Sequence, residues 1–220
     1  MSEFLRFLEN EVQIFALTFM AVVYLIRLRW ILKFTAAKER TPSRGDETAG
    51  IMYSYMTLAM PWSMESTSKR WIKYAEFVIF HIGIAVTITA TFIIPYAPAL
   101  INSPITVMVI QAVIAAAFIV GVMRLFRRFA RPEMRVISSI DDYFSLFLLD
   151  FYLLSAFFGV PNNNEWALIA FFGLTTFFLI YVPFSKISHY LYFPFTRYYI
   201  GKHLGHRGVY PKKLYKQHKI

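Results

Sequence analysis

The 220-residue chain sets long apolar runs between short polar stretches. Crossing a hydrocarbon layer of roughly 30 Å takes about 20 mostly apolar residues in a helix, and five runs come to about that length. They cover positions 12–32, 74–94, 105–125, 143–160 and 166–190. Arg27 and Arg29 fall inside the first, where long side chains carry their charge out to the interface. The second run stops at Pro95 and Pro98 and the third starts after Asn102, Ser103 and Pro104, an uncharged hairpin; Pro161, Asn162, Asn163 and Asn164 make another. The longest connection, 33–73, is polar over 41–48 and amphipathic over 51–62, and is expected to lie on a surface or face a partner. The pattern predicts an all-α integral membrane protein, a bundle of five transmembrane helices over residues 1–200, followed by a basic tail over 201–220.

Composition agrees with that reading. The chain is 57% hydrophobic and only 16% charged, against roughly 25% charged in soluble domains. Its net charge of +10 would suit nucleic acid in a soluble protein. Here, however, 22 of the 23 Lys and Arg flank apolar runs: nine between Arg27 and Lys73, five between Arg124 and Arg135, eight from Lys186 onward. The hairpins at Pro95 and Pro161 contain none, and only Arg6 lies on their side. Positive loops stay in the cytoplasm, so an odd number of helices predicts an outside N-terminus and a cytoplasmic C-terminus, in the inner membrane of a cell. Three glutamates before the first run are unlike a secretory signal, so that helix is expected to remain in the mature protein. No cysteine is present. That excludes a disulfide framework, a thiolate zinc site and an iron–sulfur cluster held by this chain, and leaves histidine to hold any redox centre.

Two histidines fall within or at the end of apolar runs, where an ionisable side chain is costly and marks function by default. His81 lies about 12 Å beyond Lys73 along the second helix. His189 is expected at the cytoplasmic end of the fifth helix, at a similar depth. Two readings are open on these grounds. Facing imidazoles suit the two axial positions of a haem b iron, or each makes an interhelical hydrogen bond. Gly83 would admit a flat macrocycle or a neighbouring helix.

The segments Phe80-His81-Ile82-Gly83-Ile84 and Pro183-Phe184-Ser185-Lys186-Ile187-Ser188-His189 resemble the gamma subunit of respiratory nitrate reductase. They are also similar to its relatives, the cytochrome b subunits of heterodisulfide-reductase-like and sulfate-respiration complexes. Pro61-Trp62-Ser63 and Ser139-Ile140-Asp141-Asp142-Tyr143 look more like those relatives. The likeness extends over nearly the whole chain. It implies His81 and His189 as axial ligands of a haem on the cytoplasmic side. Two-haem members carry a second histidine on each of these helices; the matching positions here are Thr91 and Phe171. Both departures remove ligands of the same outer haem, so the resemblance implies one haem b.

Weaker candidates complete the list. Asp150, near the middle of the fourth run, is expected to be protonated, paired or facing a polar cavity, and is a candidate for relaying protons to or from a quinone. Lys186 is a candidate contact for a haem propionate or a quinone oxygen, or an interfacial lysine. Asp141, Asp142 and Tyr143 are expected to start helix four, where acids suit the helix dipole, and Gln111 is a polar contact. His203, His206 and His218 stand among Lys202, Arg207, Lys212 and Lys213 with no carboxylate beside them in sequence, a context that suits headgroups or a docking subunit better than a metal. The expected function is therefore a haem b membrane subunit moving electrons between a quinone pool and a cytoplasm-side partner, an iron–sulfur or other redox subunit. Its membrane lipid is its solvent and nucleic acid is not a partner. The alternatives are a haem-free anchor or assembly subunit, and a small transporter coupled through Asp150.

Overall fold

The computed structural model describes residues 2–34, 39–63 and 65–211; His218, Lys212, Lys213 and Tyr215 lie outside them. Seven main helices are present among the described residues: α1 Glu3–Lys33, α2 Glu47–Met56, α3 Trp71–Tyr96, α4 Pro104–Ala130, α5 Ile140–Gly159, α6 Glu165–Tyr181 and α7 His189–His206. Five of them, α1, α3, α4, α5 and α6 with its last turn, are long and apolar enough to span a membrane, which makes this an all-helical, multi-pass membrane protein. Each of the five expected spans has its helix.

The helix starts follow from local chemistry. Asn164 caps α6 by accepting from the backbone N–H groups of Trp166 and Ala167, Pro104 occupies the first turn of α4, and Ser139 with Asp142 forms a capping box at α5. Asp142 thus caps the helix, and Asp141 stands with it in the first turn, where acidic residues were expected. One end differs. The fifth helix was expected to run to 190, but α6 stops at Tyr181, because Pro183 has no N–H to give and Ser185 adopts an extended backbone (ψ 172°). Two short 3₁₀ turns, Val182–Phe184 and Lys186–Ser188, follow before α7 begins at His189. His189 is therefore the first residue of a new helix rather than the end of the fifth. That helix runs through Gly201 to His206, so the first part of the expected tail is helical.

The chain divides into two compact units, Met1–Arg27 with Ala75–Ser188, and Leu28–Tyr74 with His189–Ile220. In the first unit α5 packs against both α4 and α6. Its core holds Ile114, Leu153, Leu168, Phe171 and Phe172, each 0–1% exposed. Polar ties cross the helices at few points: Gln111 Nε2 donates to the Phe157 carbonyl at 2.9 Å, and Gln13 Nε2 donates to the Phe172 carbonyl and Thr176 Oγ1, both at 2.8 Å. Outward faces are apolar too, as with Ile105, Phe126 and Trp166. A helix hydrophobic all round belongs in lipid.

In the second unit α2 packs directly on α7, so the amphipathic stretch of the long connection meets a partner within its own chain. Backbone meets backbone there. A Cβ at Gly201 would stand 2.6 Å from the Ile51 Cα, one at Gly205 2.5 Å from the Asp46 carbonyl oxygen, and one at Gly45 2.7 Å from the Gly208 Cα. Only glycine allows that approach. The Tyr55 hydroxyl donates to the Pro194 carbonyl at 2.6 Å across the same contact.

Candidate functional site

His81 stands exposed on α3. Its Nδ1 bonds the Phe77 carbonyl one turn earlier at 2.8 Å, and the Phe77 ring lies against it with centroids 4.1 Å apart. A carbonyl only accepts, so that bond puts a ring proton on Nδ1, and the neutral ring then carries its lone pair on Nε2. This is the tautomer that presents Nε2 to a metal, with the backbone fixing the ring. Gly83 faces elsewhere: a Cβ there would run into the Ala117 side chain and approach the Val113 carbonyl at 3.4 Å. Of its two expected uses, close approach of a helix is the one present. His189 is exposed at the start of α7, edge-on to Tyr190 at 6.5 Å. It belongs to the second unit and His81 to the first.

The positions matched to the outer haem are filled. Phe171 is fully buried and stacks on Tyr152 at 5.4 Å. Thr91 is buried, and its hydroxyl donates to the Ile88 carbonyl at 2.6 Å. A cavity of about 200 Å³ lies in the same half of α3, lined by Val86, Thr89, Ile93, Ile101, Ile110 and Val160 among others. Its wall offers no metal-ligating side chain.

Asp150 is the residue whose surroundings the sequence could not supply. It is 4% exposed, and neither carboxyl oxygen has a hydrogen-bond partner. Its carboxyl lies over the Cα of Gly121 on α4, a place that a Cβ would take: Cγ would be 2.9 Å from it, and the Phe80 ring edge 3.0 Å. Arg124, one turn further along α4, holds its guanidinium over the Phe80 ring at 5.2 Å. Arg124 is also the cation whose charge acts on Asp150. The acid expected at mid-span therefore meets the residue preceding His81. An unsatisfied neutral group here costs about 1–3 kcal/mol, and an isolated carboxylate far more. Nearer the start of α3 and the end of α4, Arg127 grips Glu76 through three contacts of 2.8–3.0 Å. This pair joins α3 to α4 and was not singled out from sequence, though a carboxylate inside one apolar run and a cation just past the end of the next are a legible signal.

Lys186 does not stand alone. Its Nζ donates to Asp142 Oδ2 at 2.6 Å and to Ser139 Oγ at 2.8 Å, while its backbone N–H donates to Asp141 Oδ2 at 2.9 Å. The Tyr181 hydroxyl donates to the other oxygen of Asp141, and Ser145 Oγ lies 2.9 Å from that hydroxyl. The start of α5 thus clamps the turns that lead to His189.

Carboxylates do reach the tail histidines, brought from the long connection. His206 sets Nδ1 3.0 Å from Glu47 and Nε2 2.8 Å from the Thr41 carbonyl. Both partners accept, so the ring is held as the imidazolium, and these bonds, the Thr41 carbonyl foremost, raise its pKa. Arg207 pairs with Glu39 at 2.7 Å and holds that carboxyl down at about 2. His203 also approaches Glu39, at 3.8 Å. No metal-binding group of three such ligands forms among the described residues. Comparison of the chain with protein-family models, with curated proteins and with solved structures returned no match.

Proposed function

We propose that this chain is the haem b membrane subunit of a respiratory complex, passing electrons between membrane quinol or quinone and a cytoplasm-side iron–sulfur or other redox subunit. The observation that carries the reading is the His81 ring, exposed within an apolar span with Nδ1 bonded to the Phe77 carbonyl, the bond that leaves the lone pair of a neutral ring on Nε2. That donor chemistry fits an axial ligand of a low-spin haem, and His189 supplies the second nitrogen in this reading. A bound haem b contributes a one-electron iron couple. The chain contributes the rest: imidazole lone pairs, Phe77 against the first ring, and the Lys186–Asp142 clamp that steadies the turn before His189.

Buried Thr91 and Phe171 favour one haem over two. Lys186 would share its ammonium between Asp142 and a propionate or quinone oxygen. In this reading Asp150 takes up or releases a proton during quinone chemistry. The concentration of Lys and Arg on one side favours an outside N-terminus and a cytoplasmic docking face. The reading follows the resemblance to the nitrate reductase gamma subunit and its relatives, and quinone and partner enter through it.

The test is a dithionite-reduced minus oxidised spectrum of the purified chain, with haem quantified. One b-type haem per chain, lost in His81→Ala and in His189→Ala, is expected. A haem-free parent protein would favour the membrane-anchor alternative, and two haems would overturn the inference from Thr91 and Phe171.

A further inference from the structure

The cluster of Phe80, Gly121, Arg124 and Asp150 has all the parts of a proton-operated arginine switch. We infer that Asp150 binds a proton within the membrane span, and that release of this proton draws Arg124 off the Phe80 ring and onto the carboxylate. The inference needs no cofactor and stands or falls apart from the haem reading.

Asp150 is 4% exposed and both its oxygens lack a partner. A carboxyl in that position is stable as the neutral acid and unstable as a bare anion. A group able to compensate an anion, Arg124, already acts on it. Arg124 lies three residues after Gly121, and side chains on a helix lean towards its N-terminus, so the Arg124 side chain reaches back over the turn on which the Asp150 carboxyl rests. With the acid neutral, the guanidinium gains more from the face of Phe80, where it stands 5.2 Å from the ring centre. With the acid ionised, paired charge-assisted hydrogen bonds to the carboxylate outweigh a cation–π contact. Gly121 makes the exchange possible, since any side chain there would occupy the carboxyl's position.

The other charges near the cluster leave the choice to Arg124. On α4, Arg127 is committed to Glu76 of α3, and Arg128 stands 2.6 Å from Ser138 and 3.9 Å from Asp142. On α6, Tyr181 is bound to Asp141 and Glu165 lies at the far end of the helix. The proton displaced from Asp150 leaves as a solvated proton, and the carboxylate charge is then matched by the arginine.

Infrared spectroscopy of the full chain in lipid reads the carboxyl directly. At neutral pH the parent should show a carboxylic-acid C=O band that is lost in Asp150→Asn, a nearly isosteric change. Phe80→Leu removes the arginine's resting place, so the band should be lost at the same pH. Adding Arg124→Gln to Phe80→Leu should restore it. Circular dichroism confirms that each variant keeps its helices. A parent that shows carboxylate rather than acid at Asp150, or a band indifferent to Phe80→Leu, overturns the switch.

Discussion

The two units of this chain are held together by different physics. The first carries eight Lys and Arg against nine Asp and Glu, the second fifteen against four. In the first, long apolar helices interlock through buried Leu, Ile and Phe, and each buried or half-buried polar group is an event: Gln13, Gln111, the Glu76–Arg127 pair, the orphan Asp150. In the second, α2 and α7 touch at their backbones through glycine, and charged pairs run along the contact. Lipid is as apolar as leucine, so helices in it associate by close packing and sparse polar ties. A basic segment in contact with water can use ion pairs that pH and salt will move.

The contrast is broken most sharply at glycine. Gly205→Leu places a side chain into the Asp46 carbonyl and the Gly50 backbone, and is expected to destabilise the α2–α7 pair by about 3 kcal/mol or more. Gly173→Ala on α6 meets nothing within 4 Å and should be neutral or stabilising by about 0.5–1 kcal/mol. Thermal unfolding of both variants in detergent checks the pair; equal effects would mean that the glycine contact is not what holds the second unit.

A smaller loss is expected within the first unit. Arg127→Met leaves Glu76 without its bidentate partner in a span, costing about 1–2 kcal/mol, whereas adding Glu76→Gln should recover part of it. The same unfolding measurement applies, and a double variant worse than Arg127→Met would contradict the pairing.

The mildest perturbation is pH, and in the second unit it acts on the pairs made by His206 and Glu39. The pKa of His206 is raised in the fold, so its contribution is fully present below the ordinary histidine value and is lost as pH rises through the raised one. Glu39 is held down at about 2, so its contribution is present above the ordinary carboxylate value and fades as pH falls towards about 2. Hydrogen exchange at Arg44, whose backbone N–H donates to the His206 carbonyl at 2.8 Å, should lose protection on the alkaline side once intrinsic exchange rates are corrected for. His206→Gln should abolish that dependence.

How much of this could be read in advance depends on whether the cause was local. The spans, the caps at Asn164 and Ser139, and the place of His81 within its apolar run are properties of a few neighbouring residues, and the sequence alone determined them. The stop at Pro183 was also local, yet the apolar run continues past it, and hydropathy outweighed the proline. The spacing of Gly201 and Gly205 is a small-residue signal, hidden among basic residues that suggested a solvated tail.

Only the tertiary structure decided the rest. That Asp150 rests on Gly121, beneath Arg124 and beside Phe80, depends on the rotation of α5 against α4 and α3, which no single helix specifies. That Glu39 and Glu47 reach Arg207 and His206 depends on a connection folding back over a stretch of sequence more than 150 residues away. Local pattern sets where helices begin, how long they are and which medium they suit; the pairing of their faces is settled by close packing between residues far apart in the chain.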